Sequence, residues 1–75
     1  MNRIVSDPGI LGGKPCVQGT RISVEFVLEL FASGATTDDI LHAYPSLARE
    51  DVVAAVRYAA GVLRNESILE VEVAH

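Results

Sequence analysis

Apolar and polar positions follow a helical rhythm through the middle of the chain, and each repeat predicts an element. In "SVEFVLELFAS", residues 23 to 33, Val24, Val27, Leu28 and Phe31 recur at the spacing of one buried helix face. Phe26 and Leu30 fall on another side, so this helix is apolar over more than one stripe. Ser23 suits its N-cap, Glu25 the positive end of its dipole, and Gly34 its stop. A second, short helix is expected over "TDDILHA", residues 37 to 43, ended by Pro45. Thr36 and Asp39 have the spacing of a capping box, with Asp in place of the usual Glu or Gln. The third and longest helix, residues 49 to 64, is "REDVVAAVRYAAGVLR". Val52, Val56, Ala59 and Leu63 form its predicted apolar row, with Val53 and Ala60 beside it. Ala54, Ala55, Ala59 and Ala60 are small enough to let another helix approach closely.

The rhythm is different at both ends. Residues 1–22 read as short extended pieces broken by turns: "RIV", the turn "SDPG", the break "GGKP", then "CVQ" and "TRIS" around Gly19. Together they predict an N-terminal β arm. In residues 65–75, Leu69, Val71 and Val73 alternate with Glu70 and Glu72, the period of a strand. Such a strand needs an edge to pair with. It suits β-augmentation of a partner's sheet, and a frayed end or exchange within a homodimer fits equally well.

A chain of 75 residues is one domain, near the lower limit for a core without staples. With no Trp, that core must come from Val, Leu, Ile and Ala, so a partner or oligomer is expected. A homodimer is the specific expectation, because a monomer would expose Phe26 or Leu30. Ten acidic residues against six basic give a net charge of −4, which provides no global attraction to DNA or an anionic membrane. Cys16 is the only cysteine, so neither a disulfide nor a cysteine metal cluster can form within the chain. No signal-like run opens the sequence, and none approaches the roughly 20 apolar residues of a bilayer span. A soluble, cytoplasmic protein is expected.

"GILGGKPCVQGTR", residues 9 to 21, invites a phosphate-loop reading. The spacing Gly9 to Gly13 is one residue short, Lys14 is followed by Pro15, and no helix is expected to begin there. A structural turn built on Gly13, Lys14, Pro15, Gly19, Thr20 and Arg21 is the better reading, with Arg21 expected to brace the arm through a carboxylate or a helix-end carbonyl. Arg49, Arg57 and Arg64 fall within about 80° of one another on a wheel of about 100° per residue. They form either a phosphate-facing stripe or an ordinary solvated face. Glu50 and Asp51, in the first turn of the same helix, would repel DNA there. Asp38 and Asp39 read as dipole partners of the second helix, His42 as a surface residue and Cys16 as a small buried hydrophobe. No acid–base, nucleophile or metal constellation stands out, so neither an enzyme nor a cofactor is expected.

The run from residue 4 to about residue 60 resembles the small bacterial proteins of the domain of unknown function 433 family. The resemblance rests on Gly13-Lys14-Pro15, Gly19-Thr20-Arg21 and Tyr44-Pro45, followed by an Ala-rich helix. It implies a mainly α, three-helix, homeodomain-like helix-turn-helix domain over residues 23–64 with a short N-terminal β arm, to which the alternation in the tail adds the C-terminal strand. It further implies an antitoxin of a type II, VapBC-like toxin–antitoxin pair, neutralising a PIN-like, metal-dependent ribonuclease and binding operator DNA for autoregulation. Glu66, Glu70 and Glu72 would then take ground that RNA phosphates otherwise occupy, with Leu69, Val71 and Val73 as anchors. A stand-alone DNA-binding regulator is the alternative. Two positions depart from the family pattern: Cys16 replaces a usual Val, and Ala48 replaces a capping Thr or Ser, so the expected cap of the third helix is weaker or moves to Ser46.

Overall fold

A computed structural model describes residues 3–64. Two short strands precede three helices: β1 (Ile4–Val5), β2 (Cys16–Val17), α1 (Val24–Ala32), α2 (Thr37–Ala43) and α3 (Arg49–Arg64), with a single 3-10 turn at Leu11–Gly13 between the strands. The strands pair antiparallel, Ile4 opposite Val17 and Val5 opposite Cys16. On its other side Cys16 bridges to Ser23, so β2 lies between β1 and the entry to α1. The expected arm, three helices and their order are all present. The acidic strand expected over residues 65–75 lies outside the described residues.

Turn chemistry shapes the arm as its composition suggested. The Asp7 carboxylate accepts from Gly9 N at 2.9 Å while its carbonyl accepts from Ile10 N at 2.9 Å. Gly13 has φ +87°, a left-handed conformation for which glycine is the least strained residue, and its carbonyl accepts from the Ser6 hydroxyl. Pro15 contributes its carbonyl, which accepts from Val24 N at 2.9 Å and sets the start of α1. At the second turn Gly19 has φ +80°, and Thr20 is the brace: its hydroxyl donates to the Val17 carbonyl at 2.8 Å and accepts from Ile22 N at 3.0 Å. The bracing expected of Arg21 therefore falls to Thr20, whose short side chain reaches both neighbouring backbone groups. Arg21 is exposed and, among the described residues, makes no side-chain hydrogen bond or ion pair.

The helix caps follow from the sequence with one correction. Ser23 accepts from Phe26 N at 2.9 Å, and Thr36 and Asp39 form a complete capping box. Before α3, of the two alternatives, the cap does not move to Ser46. Asp51 instead reaches back and accepts from Ala48 N at 2.8 Å, the half of a capping box that needs no hydroxyl at the cap position.

The core contains Ile4, Cys16, Val17, Val24, Val27, Ile40, Leu47, Val52 and Ala55, drawn from the arm, all three helices and the turn before α3. Cys16 is fully buried and free, in keeping with its reading as a small hydrophobe. Two predicted rows are corrected. On α1, Val24 and Val27 are buried and Phe31 packs against the core, but Leu28 turns outward. Leu30, expected on an exposed side, packs against the core, while Phe26 is exposed as expected, its ring edge-on to Tyr44 with centroids 5.6 Å apart. On α3 the inward row is Val52, Ala55 and Ala59, while Val56 and Leu63 are 42% and 56% exposed. The physical reason is proximity: α3 packs across α1 and both strands, and alanine at position 55, fully buried, permits the approach that a valine would hinder.

Candidate functional site

Two exposed surfaces of α3 differ in character. The first is a strip on which Arg49, Val53, Val56, Arg57, Ala60 and Arg64 fall within about 100° of arc at about 100° per residue. Val53 and Val56 are 44% and 42% exposed there. Beside this strip Arg3, Arg49, Glu50, Val53, Ala54 and Arg57 line an open groove between the arm and the first half of α3. Arg64 is exposed but stands seven residues beyond Arg57, about 10 Å along the helix, and does not line that groove. Of the three arginines marked by spacing, the fold thus gathers two and adds Arg3.

Two of the groove's three arginines are already paired with carboxylates. Arg3 Nη1 donates to Asp51 Oδ1 at 2.9 Å, with the Asp51 side chain only 14% exposed. Arg49 pairs with Asp38 of α2, both well exposed. Glu50 lines the same wall as Arg57. Burial disfavours the charged form of Asp51, but the Ala48 amide and the Arg3 guanidinium outweigh it and hold the carboxyl below the usual aspartate range. Asp39 is lowered as well, by the backbone amide and then the hydroxyl of Thr36. Asp51 therefore does not face outward as a free repelling charge: it is spent on the helix cap and the arm.

The second surface is an apolar groove where α3 runs past the core. Pro15, Leu28, Tyr58, Val62 and Leu63 line it, with Lys14 and Glu25 on its rim, 3.0 Å apart. Lys14 is thus engaged by a carboxylate, and the glycines before it form a turn instead of opening a helix. Sequence reasoning missed Arg3, whose partner is 48 positions away, and missed Leu28 and Tyr58 as members of one groove.

His42 is exposed on α2. Among the described residues no three His, Cys, Asp or Glu side chains come together as a metal ion would need. No helix among them is long and apolar enough to cross a membrane. Glu66, Leu69, Glu70, Val71, Glu72 and Val73 lie outside the described residues.

Three comparisons agree on kinship. The uncharacterized protein y4eO of Sinorhizobium fredii is 43% identical over 56 residues, covering 75% of this chain and 25% of that protein. The crystal structure of a DUF433 member from Anabaena variabilis superposes with a TM-score of 0.81 at 33% identity, covering 85% of this chain and 63% of that one. The chain therefore spans a quarter of the curated relative and under two thirds of the solved one. The family model described as "Protein of unknown function (DUF433)" matches residues 4–59, through the arm and most of α3. The chain belongs to the DUF433 family.

Proposed function

We propose that this protein is a non-enzymatic, cytoplasmic antitoxin of a type II toxin–antitoxin module, and that its partner is a PIN-like ribonuclease. The observation that supports the reading best is the mixed strip on α3. It exposes Val53 and Val56 among arginines and contains no lysine, the composition of a protein interface more than of a phosphate track. Of the groove's guanidiniums Arg3 pairs with Asp51 and Arg49 with Asp38, and Glu50 stands on the same lining, which reduces the field left to attract a polyanion. By sequence, the acidic residues Glu66, Glu70 and Glu72 would mask an RNA-binding surface on the ribonuclease, with Leu69, Val71 and Val73 as anchors. The test is RNA cleavage by a PIN-like ribonuclease encoded beside this chain, measured with the full-length protein and with a variant lacking residues 66–75. Inhibition by the full chain and its loss in the truncation are expected; equal inhibition by both would remove the tail from the mechanism.

A stand-alone DNA-binding regulator is the second reading, favoured by one observation: Arg3, Arg49 and Arg57 converge on one groove. It requires duplex DNA to displace Asp38 and Asp51 from their partners.

A further inference from the structure

We infer that the C-terminal segment of this chain folds back on its own molecule, so that Leu69 and Val71 fill the apolar groove between α1 and the end of α3. The inference concerns the free chain and does not depend on the antitoxin reading.

The inward row of α3, Val52, Ala55 and Ala59, is bracketed one turn later by Val62 and Leu63. These two have the phase of core residues, yet the described core stops at Ala59. They are 42% and 56% exposed and line the groove with Pro15, Leu28 and Tyr58. The groove holds about 360 Å³, the small end of ligand-sized cavities. Its rim pair, Lys14 and Glu25 at 3.0 Å, is complete without any occupant. What the groove calls for is apolar side chains with no added charge.

Size and connection select the chain's own tail. A separate molecule must offset its lost translational and rotational freedom, and a stable interface engages about 20–30 residues a side. Ten residues line this groove. A tethered segment escapes that requirement, because a short linker holds it at an effective concentration on the millimolar scale. The tether is in place: Leu63 forms the groove wall, and residues 65–75 follow directly after Arg64. Residues 65–68 can reach about 13 Å when extended, and Asn65 and Ser67 suit a reversal of direction. The wall they must pass, from Leu63 back to Tyr58, measures about 7.5 Å along the helix. In an extended segment Leu69 and Val71 share one face about 7 Å apart, which matches that length. Glu70 and Glu72 then fall on the opposite face, in water. Leu69 and Val71 are also anchors of the proposed ribonuclease contact, so binding a ribonuclease would draw the tail out of its groove.

Nuclear Overhauser measurements on the full-length chain test the inference. In uniformly isotope-labelled protein, contacts are expected between the Tyr58 ring and the methyls of Leu69 or Val71. In an equal mixture of labelled and unlabelled chains, filtered for contacts between molecules, the same contacts should be absent. The Leu69→Ser, Val71→Ser double variant is expected to lose them and to shift the methyl resonances of Leu28 and Val62, with those of Val27 and Ile40 in the core unmoved. A wild-type chain without any contact between tail and groove would overturn the inference, as would groove methyls that stay in place in the double variant. Contacts found between labelled and unlabelled chains would also overturn it and assign the groove to a second copy.

Discussion

Arg3 and Asp51 are 48 positions apart, yet Arg3 Nη1 donates to Asp51 Oδ1 at 2.9 Å while Asp51 Oδ2 accepts from Ala48 N at 2.8 Å. One carboxylate thereby ties the β arm to α3 and closes the first turn of that helix. Asp51→Asn is expected to lower stability by about 1–2 kcal/mol at neutral pH, the sum of a weakened cap and a partly exposed ion pair. The pH dependence has a definite sign. The folded pKa of Asp51 is depressed, so its contribution is fully present above the unfolded value of about 3.9 and is lost as pH falls through the folded value. Urea unfolding of both proteins should show a gap at neutral pH that narrows below about pH 4. A gap that is constant across this range would mean that the Asp51 charge plays no part.

The corrected face of α3 is tested by two valines one helical turn apart. Val52 is 2% exposed and Val56 is 42% exposed. Val52→Ala should cost about 2 kcal/mol, whereas Val56→Ala should change stability by less than about 0.5 kcal/mol. Similar large costs at both positions in chemical denaturation would restore the row expected from periodicity alone, which contains both valines.

That row shows how far the chain could be read before its fold was known. Helix positions, the Ser23 cap and the Thr36–Asp39 box were legible because each depends on neighbours within four residues. The phase of α3 was not, because hydrophobic spacing favours Val56 over Ala55, and only the closeness of α1 and the strands makes alanine the inward residue. The groove was half legible: spacing along one helix groups Arg49 with Arg57, but Arg3 joins them solely through the folding of the arm. Asp51 was visible as a charge at the start of a helix; its use as a cap followed from the missing hydroxyl at Ala48.

Two glycines with opposite conformational demands give opposite predictions. Gly34, just after α1, has φ +102°, and Gly34→Ala should destabilise by about 1 kcal/mol or more. Gly61 lies within α3 without a positive φ, and a Cβ there would meet nothing within 4 Å. Gly61→Ala should therefore stabilise by about 0.5–1 kcal/mol. Thermal melts of the two variants should move in opposite directions from wild type, and a common direction would place the cause elsewhere.

The DNA reading is tested through salt. If Arg3, Arg49 and Arg57 neutralise phosphates, replacing all three by Ala should flatten the plot of log affinity for duplex DNA against log salt by about 2–3. Because Asp51 and Asp38 already pair with Arg3 and Arg49, a change of about 1 or less is expected. The larger change would favour the regulator over the antitoxin.

The most direct measurement is titration of the full-length chain, and of its Val53→Asp, Val56→Asp double variant, into a PIN-like ribonuclease of the kind proposed as its partner while RNA cleavage is followed. Cleavage should fall to background near stoichiometric wild-type chain, and the double variant, which disturbs only exposed positions on α3, should need at least a hundredfold more. Undiminished cleavage in excess wild-type chain would contradict the antitoxin function outright.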